Sequence, residues 1–241
     1  MTARIDRLWP DPAENLHDDD LVADLGEGVR VNFVESVDGA ATHGGLSGDL
    51  SGAADKRHFE LLRRVADVVL VGAGTIRDEG YGGLRVSDAS ARWRQERGMP
   101  AHPHLAIVSG QLDLDPASKV FTAAPVRPFV VTSGAASGTD RFTDVADVIA
   151  TGDEQVDLSA ALGALRSRGL TRILCEGGPS LFGSLLTADA VDELCVTISP
   201  SLEAGEAPRI SHSDVPAARS MTLVHVLRSG DTLLLRYSRP A

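Results

Sequence analysis

The feature that most constrains this chain is a strand–turn–helix stretch at residues 171–186, with the sequence TRILCEGGPSLFGSLL. Its apolar segment 172–175 predicts a short strand, Gly177-Gly178 predicts a turn, and Pro179 is typical of the first position of a helix. Glycines let a ligand approach the backbone, and a helix start offers free N–H groups at the positive end of the helix dipole. The stretch is suited to holding a phosphate group outside the carboxyl end of a parallel strand, although an ordinary strand-to-helix connection has the same pattern.

A second stretch of the same kind, residues 67–78, favours a ligand site. The apolar run 67–71 predicts a strand, and it ends in the glycine segment GAGTIRD at 72–78. This segment opens like the G-x-G-x-x-G dinucleotide fingerprint, but Arg77 stands where the third glycine belongs, so the motif alone is weak evidence for a Rossmann domain. Two strand–glycine–helix connections in one chain indicate a parallel sheet with a nucleotide-type crevice at the carboxyl ends of its strands.

The order of the remaining elements predicts the fold class. Further strands and helices alternate along the chain, with strands at 29–34, 105–108, 129–131, 148–150 and 191–199 and helices at 52–66 and 158–165. Residues 222–228 and 232–237 flank a short glycine turn and predict a hairpin. This order predicts an α/β fold with a mostly parallel central sheet flanked by helices and a C-terminal antiparallel hairpin at the edge.

The chain is predicted to form one domain preceded by an arm. Residues 1–28 are acidic and irregular in pattern, and Asp18-Asp19-Asp20 has the character of a solvated charge run. Residues 29–241 show neither a domain boundary nor an internal repeat, so they are assigned to a single domain.

Charge and composition exclude several classes of function. The formal net charge of −11 argues against nucleic acid or an anionic membrane surface as a partner. No apolar run reaches the length of a membrane span, and the N-terminus lacks a signal-peptide pattern, so a cytoplasmic protein is expected. Cys175 and Cys195 lie in apolar strand-like segments and are expected to be buried free thiols. The only lysines, Lys56 and Lys119, do not follow a P-loop, which excludes a P-loop nucleotide hydrolase.

Motifs for several catalytic chemistries are missing. The sequence has no G-x-S-x-G elbow, no H-E-x-x-H or C-x-x-C metal motif and no zinc-deaminase signature, and no metal site is predicted. Hydroxyl side chains rather than carboxylates follow three predicted strands, namely Ser109, Thr132-Ser133 and Thr151. Because NAD-specific sites usually place a carboxylate on the ribose 2′-hydroxyl, this arrangement leaves room for the 2′-phosphate of NADP. A crevice without an evident nucleophile or metal indicates that a redox cofactor carries the chemistry.

Four short motifs together resemble a known family. SVDG at 36–39, LLR at 61–63, VGAGTIRD at 71–78 and EGGP at 176–179 have the order and similar spacing of the reductase domain of riboflavin biosynthesis. That domain is the NADPH-dependent reductase of 5-amino-6-(5-phosphoribosylamino)uracil, and the resemblance, over residues 31–237, implies a dihydrofolate-reductase-like fold. It also implies hydride transfer from NADPH to C1′ of the open-chain ribose imine, which gives the ribitylamino product. A homodimer is expected.

The resemblance also implies roles for individual side chains. Asp38 and Glu176 are the candidate catalytic residues, and the guanidinium of Arg63 would hold the substrate phosphate. The substrate is expected to contact Ser47, Arg63, Leu84, Arg85 and Glu176. The cofactor is expected to contact Thr75, Asp78, Ser109, Gly177, Gly178, Pro179, Ser180, Leu181, Phe182 and Gly183.

Two departures from the family pattern leave other functions open. The loop EGYGGL at 79–84 is one residue longer than the usual family loop, and Glu35 stands where the family usually has a small or apolar residue. One alternative is an NADPH-dependent reductase of dihydrofolate or a pterin on the same fold, with Glu35 as the group to suspect. The other alternative is a nucleotide-binding protein without turnover.

Overall fold

The computed structural model describes residues 3–240, so residues 1, 2 and 241 of the predicted arm and domain lie outside the description. Within that range the strands are β1 Asp6–Trp9, β2 Gly28–Ser36, β3 Val68–Gly72, β4 His104–Val108, β5 Phe129–Thr132, β6 Asp147–Ala150, β7 Arg172–Cys175, β8 Glu193–Ser199, β9 Thr222–Ser229 and β10 Thr232–Ser238. The helices are α1 Ala53–Val65, α2 Ala73–Asp78, α3 Asp88–Gln95, α4 Lys119–Thr122, α5 Leu158–Arg166 and α6 Pro179–Thr187, with a 3₁₀ turn at Thr139–Phe142.

All of these strands join one sheet in the order β1-β9-β10-β8-β2-β7-β3-β4-β5-β6. The part from β8 to β6 is parallel, and β10, β9 and β1 extend it through antiparallel pairings. The predicted fold class, a mostly parallel sheet flanked by helices with an antiparallel C-terminal hairpin, is confirmed. One strand is added to it, because β1 pairs with β9 and so becomes the outermost strand.

Helices cover both faces of the parallel part of the sheet. Strand β3 contains Val68-Val69-Leu70-Val71, and all four side chains are buried, because residues that alternate between two covered faces must all be apolar. Helices α5 and α6 pack on the face that includes Val68 and Leu70, whereas α1, α2 and α4 pack on the opposite face. The loops that follow β3 and β7 therefore lead to helices on opposite sides of the sheet.

The N-terminal segment is part of the folded structure. Ile5, which precedes β1, is fully buried. Within the predicted solvated run, Asp18 accepts a hydrogen bond from Arg57 of α1 at 2.8 Å, and Asp19 accepts one from Arg64 at 2.8 Å. Asp18, Asp19 and Asp20 are exposed, as the predicted solvated run requires. Their partners were not predicted, because the arginines that bind Asp18 and Asp19 lie 39 and 45 residues away in sequence. The prediction of an irregular arm is wrong at β1, which is a strand. A boundary at residue 28 stays a prediction.

A buried cationic cluster lies between α1 and the antiparallel part of the sheet. Arg30 of β2 and Arg236 of β10 both donate to Glu193 of β8, at Nε–O distances of 2.6 and 3.2 Å. Burial, and then the charges of His225, Arg30 and Arg236, lowers the pKa of His58 in α1 to about 3. The imidazole is therefore neutral in the folded protein near neutral pH, because an added proton would be unsolvated and would face two guanidinium groups.

Acidification is expected to destabilise the protein through His58. The pKa of His58 in the folded protein is about 3, below the ordinary value of 6.5. Between these two pH values the unfolded chain binds more protons than the folded protein, so the free energy of unfolding decreases as the pH is lowered. Between about pH 7 and about pH 5 the loss is roughly 2 kcal/mol. We expect urea unfolding to show this loss in the parent and a smaller one in His58→Gln. The exposed residue His17 supplies the control, since His17→Gln should leave the pH dependence unchanged; equal pH dependence in the parent and His58→Gln would contradict the assignment.

Candidate functional site

The two glycine turns lie side by side at the carboxyl edge of the sheet. Strands β3 and β7 are parallel neighbours, and the amide of Gly72 donates to the carbonyl oxygen of Gly177 at 2.9 Å. Helix α2 follows β3 on one face of the sheet, and α6 follows β7 on the other. This divergence opens a crevice between the two helix starts, at the kind of position where α/β folds bind ligands.

A cavity of about 550 Å³, which we call the glycine crevice, occupies this position. Seven of the predicted cofactor residues line it: Thr75, Asp78, Ser109, Gly178, Pro179, Ser180 and Leu181. Sequence reasoning gave no cofactor role to several other lining residues. Arg77 lies within the VGAGTIRD motif, whereas the others are polar or small and lie outside any motif: Gly110, Gln111, Asp113 and Gln155. Its volume falls in the range of small-molecule and cofactor sites.

A direct contact between the two turns sets the width of the glycine crevice. The amide of Gly178 donates to Oγ1 of Thr75 at 2.9 Å. A Cβ atom on residue 178 would lie 2.9 Å from the same oxygen, so any larger residue would push the two turns apart. The adjacent Gly177 has φ of +110°, a conformation that favours glycine, and lines a second cavity rather than the crevice.

Two predicted cofactor residues lie on the covered side of α6. Phe182 is buried and its ring stacks on Phe33 of β2 with a centroid separation of 5.4 Å. Gly183 is buried against the backbone of His212, where a Cβ atom would clash with the carbonyl oxygen. Neither residue is among those that line the glycine crevice in the described range. They pack the helix in place, because only one side of a helix start can face a ligand.

The second cavity, of about 300 Å³, is called the inner pocket. It shares Thr75, Gly178 and Pro179 with the glycine crevice. Its other lining residues come from β2, the loop 41–52, α1, the end of β7 and the loop 79–84, and they include the predicted substrate residues Ser47 and Glu176. Molecules bound in the two cavities would therefore meet across Thr75 and Gly178.

Glu176 is held in a buried cluster beside the inner pocket. Arg63 of α1 donates from Nε to one carboxylate oxygen and from Nη2 to the other, both at 2.6 Å. Tyr81 donates its hydroxyl to Oε2 of Glu176 and accepts a hydrogen bond from Nη2 of Arg63. The Arg63 guanidinium also lies 4.3 Å from the ring centre of Phe59. The cluster fixes the orientation of a carboxylate whose side chain is only 2% exposed.

The charges in this cluster are set by burial and by one another. Burial opposes the charge of Arg63, but the adjacent Glu176 carboxylate outweighs it and raises the pKa of the guanidinium. Burial and the charge of Glu176 together raise the pKa of Tyr81 well above its ordinary value of 10.0. Arg63 is therefore charged and Tyr81 is neutral, so both act as hydrogen-bond donors toward the carboxylate.

Several predicted site residues lie away from both cavities. Leu84 is buried in the hydrophobic core on the α1 face of the sheet, and Arg85 is exposed and donates to the carbonyl oxygen of Ala123. Asp38 accepts hydrogen bonds from the Ser36 hydroxyl and the amide of Ala204, contacts that lower the pKa of its carboxyl to about 2. Among the residues that the structure describes, these three do not line either cavity, and neither does Arg63.

The longer loop at 79–84 contributes two contacts to the site. Glu79 accepts a hydrogen bond from the Ser47 hydroxyl at 3.0 Å, which ties the glycine-rich loop to the rim of the inner pocket. Tyr81 from the same loop binds Glu176. The departure in loop length therefore lies at the site itself.

Glu35 is separate from the inner pocket. Burial raises the pKa of its carboxyl, and the charge of Arg209 opposes this shift. Besides Glu176, a second buried carboxylate lines the inner pocket, that of Asp55 in α1. It accepts a hydrogen bond from the hydroxyl of Thr197 at 2.6 Å. Sequence reasoning missed Asp55, Lys56 and Phe59, although Lys56, Phe59 and Arg63 follow the i, i+3, i+7 spacing of one helix face.

Two further features of the chain bear on the type of site. Across residues 3–240, no group of three or more His, Cys, Asp or Glu side chains is arranged to hold a metal ion. In the same range, no helix has the length and apolar character needed to cross a membrane.

The two cysteines are buried free thiols, as predicted. Burial raises the pKa of Cys175 to about 12 and that of Cys195 to about 11, and the thiolate is the reactive form. We therefore expect thiol reagents to leave the native protein unlabelled near neutral pH and to label both residues after unfolding. The variant with Cys175→Ala and Cys195→Ala should keep its turnover. Activity that disappeared with either thiol would contradict a reaction carried by a cofactor.

Comparisons with known proteins give consistent results. The family model described as the RibD C-terminal domain matches residues 27–235. Two archaeal proteins named 2,5-diamino-6-ribosylamino-4(3H)-pyrimidinone 5′-phosphate reductase are similar to the chain. The protein from Methanothermobacter thermautotrophicus is 27% identical over 184 residues, which is 75% of this chain and 81% of the relative. The protein from Archaeoglobus fulgidus is 30% identical over 176 residues, which is 71% of this chain and 80% of the relative.

A solved structure has the same architecture. The crystal structure of a pyrimidine reductase-like protein from Corynebacterium diphtheriae superposes with a TM-score of 0.80 at 27% sequence identity, over 92% of this chain and 95% of that one. The predicted resemblance and the predicted dihydrofolate-reductase-like fold are both confirmed.

Proposed function

The chain belongs to the RibD C-terminal domain family, and on this premise we propose that it reduces 5-amino-6-(5-phosphoribosylamino)uracil with NADPH. The archaeal relatives are named for the diamino form of this substrate, which we include in the proposal. The product is the ribitylamino pyrimidine of riboflavin biosynthesis. The observation that carries the proposal is the junction of the glycine crevice and the inner pocket at Thr75, Gly178 and Pro179.

The glycine crevice fits a dinucleotide cofactor. Ser180 and Leu181, in the first turn of α6, line the crevice. The first amides of a helix have no acceptor within the helix, so a phosphate group bound here would find donors. Gly178 leaves no side chain between the two turns, so a ligand can approach the backbone. When bound, the reduced nicotinamide supplies the hydride. The role of the protein is to hold the nicotinamide and the substrate face to face at the residues that line both cavities.

A preference for NADPH over NADH is supported by the side chains of the same crevice. Ser109 at the end of β4 offers a hydroxyl where NAD-specific sites usually carry a carboxylate. Among the described residues, Arg77 is the cationic side chain that lines the crevice. Its guanidinium lies 3.4 Å from the carboxylate of Asp113. An arginine fork suits a 2′-phosphate.

Glu176 is the proposed contact for the pyrimidine. A carboxylate accepts hydrogen bonds from the N–H groups of an aminopyrimidine, and the bidentate pair with Arg63 keeps the Glu176 carboxylate oriented. Phe33 and Phe59 give the inner pocket apolar walls, which reduce access of water to the reacting atoms. Asp38, the other candidate from the sequence, is proposed to hold the loop that contains Ala204 rather than to contact the substrate.

The proposal is tested by oxidation of NADPH in the presence of four substrates: the aminouracil, its diamino form, dihydrofolate and a pterin. We expect turnover with one or both phosphorylated pyrimidines, and slower turnover with NADH. Reduction of dihydrofolate alone would favour the second candidate, a dihydrofolate or pterin reductase, for which the buried carboxylate of Asp55 in the inner pocket is the supporting observation. Binding of NADPH without turnover of any of the four would favour a nucleotide-binding protein.

A homodimer in the cytoplasm is part of the proposal. The side chain of Leu234 is buried on one face of the antiparallel strands. The other face carries half-buried apolar side chains that pair across neighbouring strands, Leu233 with Ile198 and Leu235 with Val226. Such a face suits the isologous contact of a twofold dimer. Sedimentation should give a dimer for the parent and a monomer for Leu235→Arg. A monomeric parent would contradict this part of the proposal.

A further inference from the structure

Asn32 is a buried polar side chain that lines the inner pocket without a hydrogen-bond partner. It lies in β2 and is only 7% exposed, and its side-chain amide makes no hydrogen bond to any residue in the range 3–240. The other deeply buried polar side chains of this pocket are bound, since Asp55 accepts a hydrogen bond from Thr197 and Glu176 accepts two from Arg63. Buried polar groups are normally hydrogen-bonded, so an unpartnered amide in a cavity wall indicates that a ligand completes its hydrogen bonds.

The sheet brings Asn32 next to Glu176. Strands β2 and β7 are parallel, and Val31 pairs with Cys175, so the residues that follow these two, Asn32 and Glu176, come at the same level. Val31 and Cys175 belong to the core on the α5 and α6 side of the sheet. Because side chains alternate between the two faces, Asn32 and Glu176 lie on the opposite face, where Glu176 binds Arg63 of α1. Neighbouring strands are about 4.8 Å apart, so the amide and the carboxylate can contact one small ring.

The two side chains offer complementary hydrogen-bonding groups. The amide of Asn32 has two N–H donors and an acceptor oxygen, whereas an ionised carboxylate only accepts. A ring that carries a carbonyl beside an N–H group matches this pair, because the carbonyl can accept from the amide while the N–H donates to the carboxylate. Uracil contains such a group, and the archaeal relatives are named for a 4(3H)-pyrimidinone, which contains it too.

We infer that Asn32 is a specificity-determining residue that donates a hydrogen bond to a ring carbonyl of the substrate, beside the ring N–H that Glu176 accepts. The inference rests on the proposed function, because it names the groups that bind the ring of that substrate. An apolar residue of similar size would leave the ring carbonyl buried without a donor, which weakens binding of the ring. Asn32 does not line the glycine crevice, so the affinity for NADPH should not depend on it.

The test variant is Asn32→Leu, which nearly keeps the volume of the side chain and removes its polar atoms. KM for the phosphorylated pyrimidine should rise about ten- to a hundredfold, with kcat changed only a few-fold. Binding of the free ring, 5,6-diaminouracil, to enzyme saturated with NADP⁺ should weaken about tenfold or more, as measured by ligand-observed nuclear magnetic resonance. Titration calorimetry should give the parent's affinity for NADPH.

The matched control is Thr132→Val in β5. The Oγ1 atom of Thr132 is also buried without a hydrogen-bond partner among the residues described, but Thr132 lines neither cavity. This variant should bind 5,6-diaminouracil as the parent does. Circular dichroism establishes that both variants are folded, and if Asn32→Leu is not, Asn32→Ser removes the amide without adding bulk and carries the same expectations.

The outcomes separate the inference from the proposed function. A parent that turns over neither pyrimidine overturns the proposed function, while binding of the free ring still decides the role of Asn32. Equal affinity for the ring in the parent and Asn32→Leu, or a parent that does not bind the ring, overturns the inference and leaves the proposed function standing. A loss of NADPH affinity in Asn32→Leu as large as the loss of ring affinity also overturns it, because the substitution would then act on the whole site.

Discussion

Replacing Glu176 with alanine is expected to lower the free energy of unfolding by about 3–5 kcal/mol and to abolish turnover. The carboxylate is buried and accepts hydrogen bonds from Arg63 and Tyr81, so its removal leaves a buried guanidinium without a counter-charge. The same change removes the acceptor that we propose for the pyrimidine. Urea unfolding measures the first effect and steady-state kinetics measures the second.

A second substitution separates the two effects. Adding Arg63→Met to Glu176→Ala should restore part of the lost stability, because no unpaired charge is left buried, while turnover stays absent. The exposed pair of Arg127 and Asp147 is the control, and Asp147→Ala should cost less than about 1 kcal/mol. If Glu176→Ala destabilised the protein no more than Asp147→Ala, the buried pair could not have the role that we assign to it.

Gly178→Val is expected to weaken binding of NADPH by about 2 kcal/mol or more, which is roughly thirtyfold. The new side chain would displace the Thr75 hydroxyl, which lies 2.9 Å from the site of its Cβ atom, and would separate the glycine turns. A phosphate group in the crevice would then lose backbone amide partners. Titration calorimetry with NADPH measures the change.

The matched control for Gly178→Val is Gly163→Val on the exposed side of α5, where a new Cβ atom meets open space. This variant should bind NADPH as the parent does. Circular dichroism and the unfolding midpoint establish that Gly178→Val is folded. Unchanged cofactor affinity in folded Gly178→Val would mean that the cofactor binds outside the glycine crevice.

Local sequence pattern was sufficient to predict the parallel sheet and the glycine crevice. The continuous apolar run in β3 indicated a strand covered on both faces, and Pro179 after two glycines marked the start of α6. Parallel strands place their carboxyl ends at one edge, so the turns at Gly72 and Gly177 were expected at the same edge of the sheet. Their direct hydrogen bond could not be predicted, because it depends on β3 and β7 being neighbours in the folded sheet.

The partners of charged side chains could not be predicted in the same way. Arg63 and Glu176 are 113 residues apart, and the pattern of neither segment specifies that the two form a bidentate pair. The sequence interpretation therefore assigned Arg63 to a phosphate, whereas the structure directs its donors to a carboxylate. Lys56 was considered only as a possible P-loop lysine, because an isolated lysine has no motif and the cavity that it lines is set by the folded structure.

The central claim, hydride transfer from a nicotinamide to the ribose carbon of a phosphorylated pyrimidine, is tested most directly by isotope transfer. NADPH that carries deuterium at the reactive C4 position is incubated with the parent enzyme and 5-amino-6-(5-phosphoribosylamino)uracil, and the product is examined by mass spectrometry and nuclear magnetic resonance. The account predicts a ribitylamino product with deuterium at C1′ from one face of the labelled cofactor. A product without deuterium at C1′, or oxidation of NADPH with label transferred only to dihydrofolate, would contradict it.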